Sequence, residues 1–306
     1  MEICINGKKA DITLESEKTV EDLLAGLDSW LAQGELQDRP DSSGMTHYRL
    51  SGLIIDGKAE DAQSLENTFG RELSTIKTLN IIVSRLHELI CTALRNTQEE
   101  LETWKNLDFS AKQSFAENWK TGPAAALLRE QYPPVYDMTL LTFSGEGPGA
   151  QFFAALLDER LRELENPSEE LDRMEQLIND VTGRLENLPL DIQTGKDKQA
   201  AETIQIFTGL TEKIFRIFTI LKADGFPVAQ LKVANPAPVQ SVCENGTPGR
   251  TEIPIMDFLD EFNITLKEML GAYEQKDAVL VGDLAEYEMA PRLRNFYAAL
   301  KKPAVA

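Results

Sequence analysis

The sequence is poor in histidine, in cysteine pairs, in long apolar runs and in basic side chains, and each scarcity removes a class of function. Only His47 and His87 are present, so a histidine-assisted nucleophile or a histidine-rich metal centre has almost nothing to work with. Cys4, Cys91 and Cys243 are odd in number, far apart and without a C-x-x-C pair, which excludes a disulfide framework or a zinc knuckle and fits a reducing compartment. No uninterrupted apolar stretch reaches the roughly 18 residues of a membrane span. The start, MEICINGKK, lacks the basic n-region and apolar core of a signal peptide. The expected location is cytoplasmic, with no membrane insertion.

Lys plus Arg number 31 against 50 Asp plus Glu, for a net charge of -19. Nucleic acid and anionic lipid would both be repelled, so the partners expected are proteins with basic or neutral surfaces. The acidity is spread along the chain and forms no acidic tail.

What is present divides into three parts: 1–83, 84–165 and 166–306. In the first, Glu2 to Ile5 and Asp11 to Leu14 flank the turn Asn6-Gly7-Lys8-Lys9 and read as a hairpin. Thr19 caps a helix whose stripe is Val20, Leu23, Leu24, Leu27 and Leu31. A polar stretch from Gln33 to Thr46 precedes a strand through Leu53-Ile54-Ile55, a glycine turn at Asp56-Gly57, and a closing strand Leu79 to Val83. Hairpin, helix, strand, turn and closing strand in this order resemble the ubiquitin-like β-grasp, with the phrases Leu53 to Lys58 and Thr78 to Arg85 carrying the likeness. Modifiers and sulfur carriers of that kind end in a free Gly-Gly. Here Ser84-Arg85-Leu86 runs into a helix, so the resemblance implies a built-in domain without conjugation or carrier chemistry.

Residues 84–165 are expected to form a helical linker region, with Leu86, Leu89, Ile90, Leu94, Leu101 and Trp104 at helical spacing, a break at Pro133-Pro134, and the loop Gly145-Glu146-Gly147-Pro148-Gly149. Residues 166–306 are expected to be an antiparallel four-helix bundle. Asn166-Pro167-Ser168-Glu169 signals a capping box for a helix carrying Leu171, Met174, Leu177, Ile178, Val181, Leu185 and Leu188, and Pro189 to Asp197 turns the chain into a helix that carries Ile204, Phe207, Leu210, Ile214, Phe218 and Leu221 and is apolar on more than one side. Between 225 and 254 lie five of the fourteen prolines, which suggests a long exposed excursion. The last two helices are Ile255 to Tyr273 and Ala278 to Leu300, the second interrupted or kinked at Pro291. The fold class expected is therefore α+β, mainly α.

Three loops approach ligand motifs and fall short. Gly52 to Lys58 has P-loop spacing, but Ala59 stands where magnesium needs a hydroxyl and the interior reads as a strand. The loop at Gly145 carries no lysine and has Glu146, which repels anions. Asp191 to Asp197 resembles a calcium loop with its glycine one position early, and Glu202 would lie inside a helix. The stretch Lys276 to Pro291 stands out instead: Leu280, Leu284, Tyr287 and Pro291 share a helix face bordered by Asp283 and Glu286. Carboxylates at such borders call for partners, and Arg292, Arg294 and Lys196 are the candidates.

That stretch and Leu188 to Asp197 together resemble a helical domain of uncharacterised bacterial proteins, in which both phrases recur. The resemblance brings no activity with it. The expectation is a non-catalytic bacterial cytoplasmic adaptor or scaffold, without cofactor or metal. It would bind a protein partner through Gln193, Lys196, Asp197, Asp283, Glu286, Tyr287 and Glu288. The alternatives are a chaperone-like bundle that sequesters a partner helix under the proline-rich excursion, and a carboxylate-based enzyme built on Asp283 and Glu286.

Overall fold

The computed structural model describes residues 1–12, 14, 16–27, 48–60, 68–223, 226–236 and 251–301. The chain divides into two compact units, Met1–Glu165 and Asn166–Ala306.

The first unit begins with a mixed five-stranded sheet of β1 (Glu2–Ile5), β2 (Lys8–Lys9), β3 (Tyr48–Ile55), β4 (Lys58–Ala59) and β5 (Thr78–Arg85). Its order is β2-β1-β5-β3-β4, with β1 parallel to β5 at the centre and every other pair antiparallel. The hairpin closes sooner than the sequence suggests: Lys8 and Lys9, not Asp11 to Leu14, pair with Ile5 and Cys4. The cause is the turn itself. Asn6 and Gly7 sit at φ 48° and 74°, the left-handed pair that reverses a chain in two residues. The Asn6 side chain then prolongs the β1 ladder, its amide donating to the Val83 carbonyl and its oxygen accepting from the Val83 N–H, both at 2.9 Å.

Asp56-Gly57 repeats the same turn at φ 50° and 82°. The Asp56 carboxylate accepts the N–H groups of Lys77 and Thr78, each at 2.9 Å. The Thr78 bond leads in holding that carboxyl below its usual range. Residues 20–27 form α1, opened by a reciprocal cap in which Thr19 Oγ1 accepts from Asp22 N and Asp22 accepts from the N–H groups of Lys18 and Thr19. Val20, Leu23 and Leu27 pack on Ile3, Leu53, Ile55, Leu79 and Ile81, which makes one face of the sheet a core. The expected helix residue Leu31, the polar stretch 33–46 and His47 lie outside the described residues.

Strand β5 passes directly into α2 (Leu86–Lys105), followed by α3 (Phe109–Lys120), α4 (Pro123–Gln131), α5 (Pro133–Ser144) and α6 (Ala150–Glu165). Trp104, Phe115 and Trp119 surround the buried Phe143 ring with centroids 5.1–6.0 Å away. Trp119 donates its indole N–H to Glu100 at 2.6 Å, and desolvation among these rings pushes the Glu100 carboxyl up.

The second unit holds α7 (Pro167–Arg173), α8 (Glu175–Gln193), α9 (Asp197–Ala223), β6 (Lys232–Asn235), β7 (Thr251–Pro254), α10 (Ile255–Glu274), α11 (Ala278–Asp283), a π-helical turn (Leu284–Met289) and α12 (Ala290–Lys301). Four features depart from the sequence reading. Asn166 makes no side-chain cap bond, so Pro167 at the first helical position opens α7. The helix expected through Leu188 is broken at Met174, and α8 then continues through Pro189 to Gln193. Pro189 forgoes the bond that its nitrogen would have made to the Leu185 carbonyl and crowds that carbonyl, and its ring finds a packing partner described below. The excursion is partly a hairpin: Lys232 pairs with Pro254 and Asn235 with Thr251. Residues 237–250, with Cys243, lie outside the described residues.

The fourth departure is the form of the break near Pro291, which is a π-helical turn rather than a kink. Proline has no N–H for the preceding turn and its ring crowds the carbonyl four residues back, and widening the helix relieves both.

Helices α8, α9, α10 and α12 bury the core, where Phe258, Phe262 and Phe296 have no exposed surface and Phe215 lies 5.4 Å from Phe296 and 5.8 Å from Phe262. Thr211 on α9 is buried there, and among the described residues its hydroxyl has no hydrogen-bond partner. A buried hydroxyl left unpaired costs about 1–3 kcal/mol, so replacing it with a methyl of the same shape should help. We expect Thr211→Val to raise stability by about 1 kcal/mol in urea denaturation followed by circular dichroism. A loss of stability would show that the hydroxyl is satisfied after all.

Candidate functional site

The sequence-derived residues fall on two segments, the α8–α9 turn and α11 with its π-helical extension. At the turn, Gly195 adopts φ 72°, and the Lys196 N–H bonds back to the Asp191 carbonyl at 2.9 Å, which closes the end of α8. The Lys196 ammonium pairs with the Asp191 carboxylate at 3.0 Å. Asp191 is buried, so the carboxylate that would have led a calcium loop is neutralised from within. The Lys196 carbonyl accepts the first α9 bond, from Ala200, which makes Lys196 the cap residue. Asp197 is the first helical residue, exposed at the positive end of the helix dipole.

Lys196 lines an open groove of about 600 Å³ between α8 and α9, with Asp180, Arg184, Asn187 and Asp191. Gln193 is exposed one turn beyond Pro189 on the same side of α8. That side faces α11, because Gly282 lies against Pro189: a Cβ at Gly282 would stand only 3.1 Å from the proline Cβ and Cγ. The two phrases picked out from the sequence therefore meet at a glycine–proline contact, with the glycine allowing close approach.

From that contact α11 exposes its opposite side. Asp277 caps the helix by accepting from Leu280 N at 3.0 Å, and Lys276 before it is held at φ 58°. Val279 is 71% exposed, Leu280 43% and Tyr287 51%. Asp283 is exposed and Glu286 half-buried between them. Tyr287 donates its hydroxyl to Glu286, which raises the phenol pKa, with the Glu286 charge adding to the effect.

Glu288 points elsewhere. Its carboxylate accepts from Arg292 Nη2 at 2.9 Å, and the buried Arg292 also reaches the Asn235 side-chain oxygen and, at 3.6 Å, Glu261. Asn235 donates to Glu261 at 2.6 Å, and Asn295 to the Ala234 carbonyl at 2.7 Å. This network ties β6 to α10 and α12. Of the three basic residues expected to answer Asp283 and Glu286, none does so: Arg292 takes Glu288, Arg294 takes Glu186, and Lys196 takes Asp191.

The seven residues thus separate into three settings. Asp283, Glu286 and Tyr287 belong to the outer side of α11 and its π-helical turn, Gln193, Lys196 and Asp197 to the end of α8 and the α8–α9 turn, and Glu288 to the Arg292 network. Sequence reasoning missed the network because Asn235, Glu261 and Arg292 are far apart in the chain and carry no shared periodicity. It also missed Val279, whose exposure depends on which side of α11 meets α8.

Other chemistry is sparse. Cys91 is buried on α2, and desolvation together with the nearby Glu165 pushes its thiol up to about 11, so it is not a thiolate at neutral pH. Among the described residues no group of three or more His, Cys, Asp or Glu side chains is placed to hold a metal ion, and no helix is long and apolar enough to cross a membrane. A second groove of about 510 Å³ runs between α9 and α10, floored by Phe207, Phe215 and Leu266.

A search of curated proteins and a search of solved structures found no match to the chain. Residues 1–37 are similar to the TP0873 N-terminal domain. Residues 169–299 match the family described as Domain of unknown function (DUF8042), a span that contains both the α8–α9 turn and the α11 face.

Proposed function

We propose that this chain is a non-catalytic adaptor or scaffold of the bacterial cytoplasm, working through protein–protein binding. In this reading the N-terminal sheet is a β-grasp module of the ubiquitin kind, supported by the order β2-β1-β5-β3-β4 with parallel central strands, and 166–306 is an antiparallel helical bundle. The observation that carries the proposal is the side of α11 and its π-helical turn that presents Val279, Leu280 and Tyr287 to solvent. Three large apolar side chains within nine positions of one helix are more than scattered surface hydrophobics, and they sit on a segment held against α8 by the Gly282–Pro189 contact.

The test is differential capture. Wild-type chain and the variant Val279→Ser/Leu280→Ser/Tyr287→Ser are used as baits at equal concentration, after circular dichroism confirms equal helicity. A partner retained by the wild type should drop at least tenfold on the variant, since tenfold needs only about 1.4 kcal/mol and covering three exposed apolar side chains contributes at least that much. Identical sets of bound proteins would overturn the proposal.

A chaperone-like bundle remains the second reading, favoured by the apolar groove between α9 and α10. The carboxylate-enzyme alternative has less support, because Asp283 is exposed on a helix, Glu286 accepts a bond from Tyr287, and neither lines the grooves described above.

A further inference from the structure

We infer that the partner received by the α11 face is a basic amphipathic helix, an inference that rests on the docking reading above and names its chemistry. Between Asp277 and Pro291 the chain has four carboxylates, Asp277, Asp283, Glu286 and Glu288, and no Lys, Arg or His. Two of them are spent internally: Asp277 caps α11, and Glu288 pairs with Arg292. Asp283 and Glu286 stay on the exposed face. The basic side chains that could have neutralised them are committed to Asp191, Glu186 and Glu288. The face therefore presents negative charge interleaved with apolar surface, and the missing cations have to come from outside.

The spacing selects the shape of the occupant. Val279, Leu280 and Asp283 on α11, and Tyr287 with the half-buried Glu286 on the π-helical turn that continues it, all reach solvent within nine positions, so a single helix laid along this segment can meet all of them. Its apolar stripe would cover Val279, Leu280 and Tyr287, while Lys or Arg on the borders of that stripe would reach Asp283 and Glu286. A second copy of this chain is disfavoured, because it would bring like carboxylates together. Nucleic acid and anionic lipid are disfavoured for the same reason. The small apolar area implies a weak, transient complex in which charge sets both encounter rate and choice of partner.

The experiment uses the full chain and two synthetic amphipathic helices of about 18 residues, or five turns, one built of Leu and Lys and the other of Leu and Glu on the same apolar stripe. Binding is followed by fluorescence anisotropy at physiological ionic strength. The Leu/Lys helix should bind at least tenfold tighter than the Leu/Glu helix, and Asp283→Lys/Glu286→Lys should abolish or invert that preference. The milder Asp283→Asn/Glu286→Gln should weaken the Leu/Lys helix severalfold. Glu130→Lys/Asp137→Lys changes the net charge equally on exposed positions of the other unit and should change binding less than twofold. If it weakens binding as much as the α11 reversal, the attraction is general and the inference fails. Equal binding of both helices, lost in Val279→Ser/Leu280→Ser/Tyr287→Ser, would overturn the basic partner and leave the docking reading standing. Binding of either helix that is indifferent to the serine variant would overturn both.

Discussion

Replacing Arg292 with alanine is expected to destabilise the second unit by about 3 kcal/mol, since breaking a buried ion pair leaves its partner charges without compensation. The Arg292 side chain is only 8% exposed and the Glu288 carboxylate 18%, so neither is well solvated once the other is gone, whereas Glu261 at 45% can return to water. The mutation also removes the donor to Asn235 and so loosens β6 from α12. Part of this cost is already carried in the folded state, because Arg292 Nε is buried and has no hydrogen-bond partner among the described residues. That places the figure at the lower end of the range for buried pairs. Lysine should recover less than half of the loss, as a single ammonium cannot serve Glu288 and Asn235 with the geometry of the guanidinium. Urea denaturation monitored by helical circular dichroism checks both values, and an alanine variant within about 1 kcal/mol of wild type would mean the network is not a structural tie.

The second large effect concerns a glycine in the first unit. At Gly147 an added Cβ would stand 2.7 Å from the Leu141 carbonyl carbon and the Thr142 nitrogen, both backbone atoms that cannot rotate away. The loop lies so close because it closes α5: the Glu146 and Gly147 N–H groups both return to the Leu141 carbonyl, at 3.0 and 2.7 Å. These N–H groups are therefore turned onto the helix end, which is why the glycine-rich run serves as a connector and not as an anion cradle. Gly147→Ala must push the loop off that end, with an expected loss of about 3 kcal/mol. All three tryptophans, Trp30, Trp104 and Trp119, belong to the first unit. Trp104 and Trp119 pack around Phe143, just ahead of the loop, so tryptophan emission should follow the change directly. A transition midpoint shifted by less than the equivalent of 1 kcal/mol would show that the loop relaxes without strain.

Much of the first unit was legible because its signals are local. Asn6-Gly7 and Asp56-Gly57 specify left-handed turns by residue type, Thr19 with Asp22 specifies a helix start, and alternating Leu79, Ile81 and Val83 specify a strand with one buried face. The position of β2 was misjudged because Asp11 to Leu14 has a better strand composition than Lys8-Lys9. Pairing followed the turn geometry, which left only two residues opposite β1.

In the second unit the apolar stripes predicted which helices exist, and their ends were less secure. The sequence alone reads Pro189 and Pro291 as helix breakers, and both sit within continuous helical segments. One is accommodated by a glycine packed on its ring, the other by a wider turn. Neither solution is local, since each depends on what the rest of the chain places nearby.

The candidate site shows the same division. By itself the sequence determined the acidity of the chain, the scarcity of catalytic side chains, and the alternation of Leu280, Asp283, Glu286 and Tyr287 along one helix, because composition and helical period are properties of the chain alone. Only the tertiary structure decided which of those carboxylates keep their charge facing water. Arg292, Arg294 and Lys196 each had several carboxylates within reach in sequence. Arg292 and Lys196 take near neighbours in sequence, Glu288 four residues back and Asp191 five, whereas the packing of α12 on α8 gives Arg294 to Glu186 across 108 positions, and Asp283 and Glu286 are left on the open side of α11. Several carboxylates lie at suitable sequence spacings, and the choice among them is set by distances of a few ångströms in the fold, of which composition and helical period carry no record.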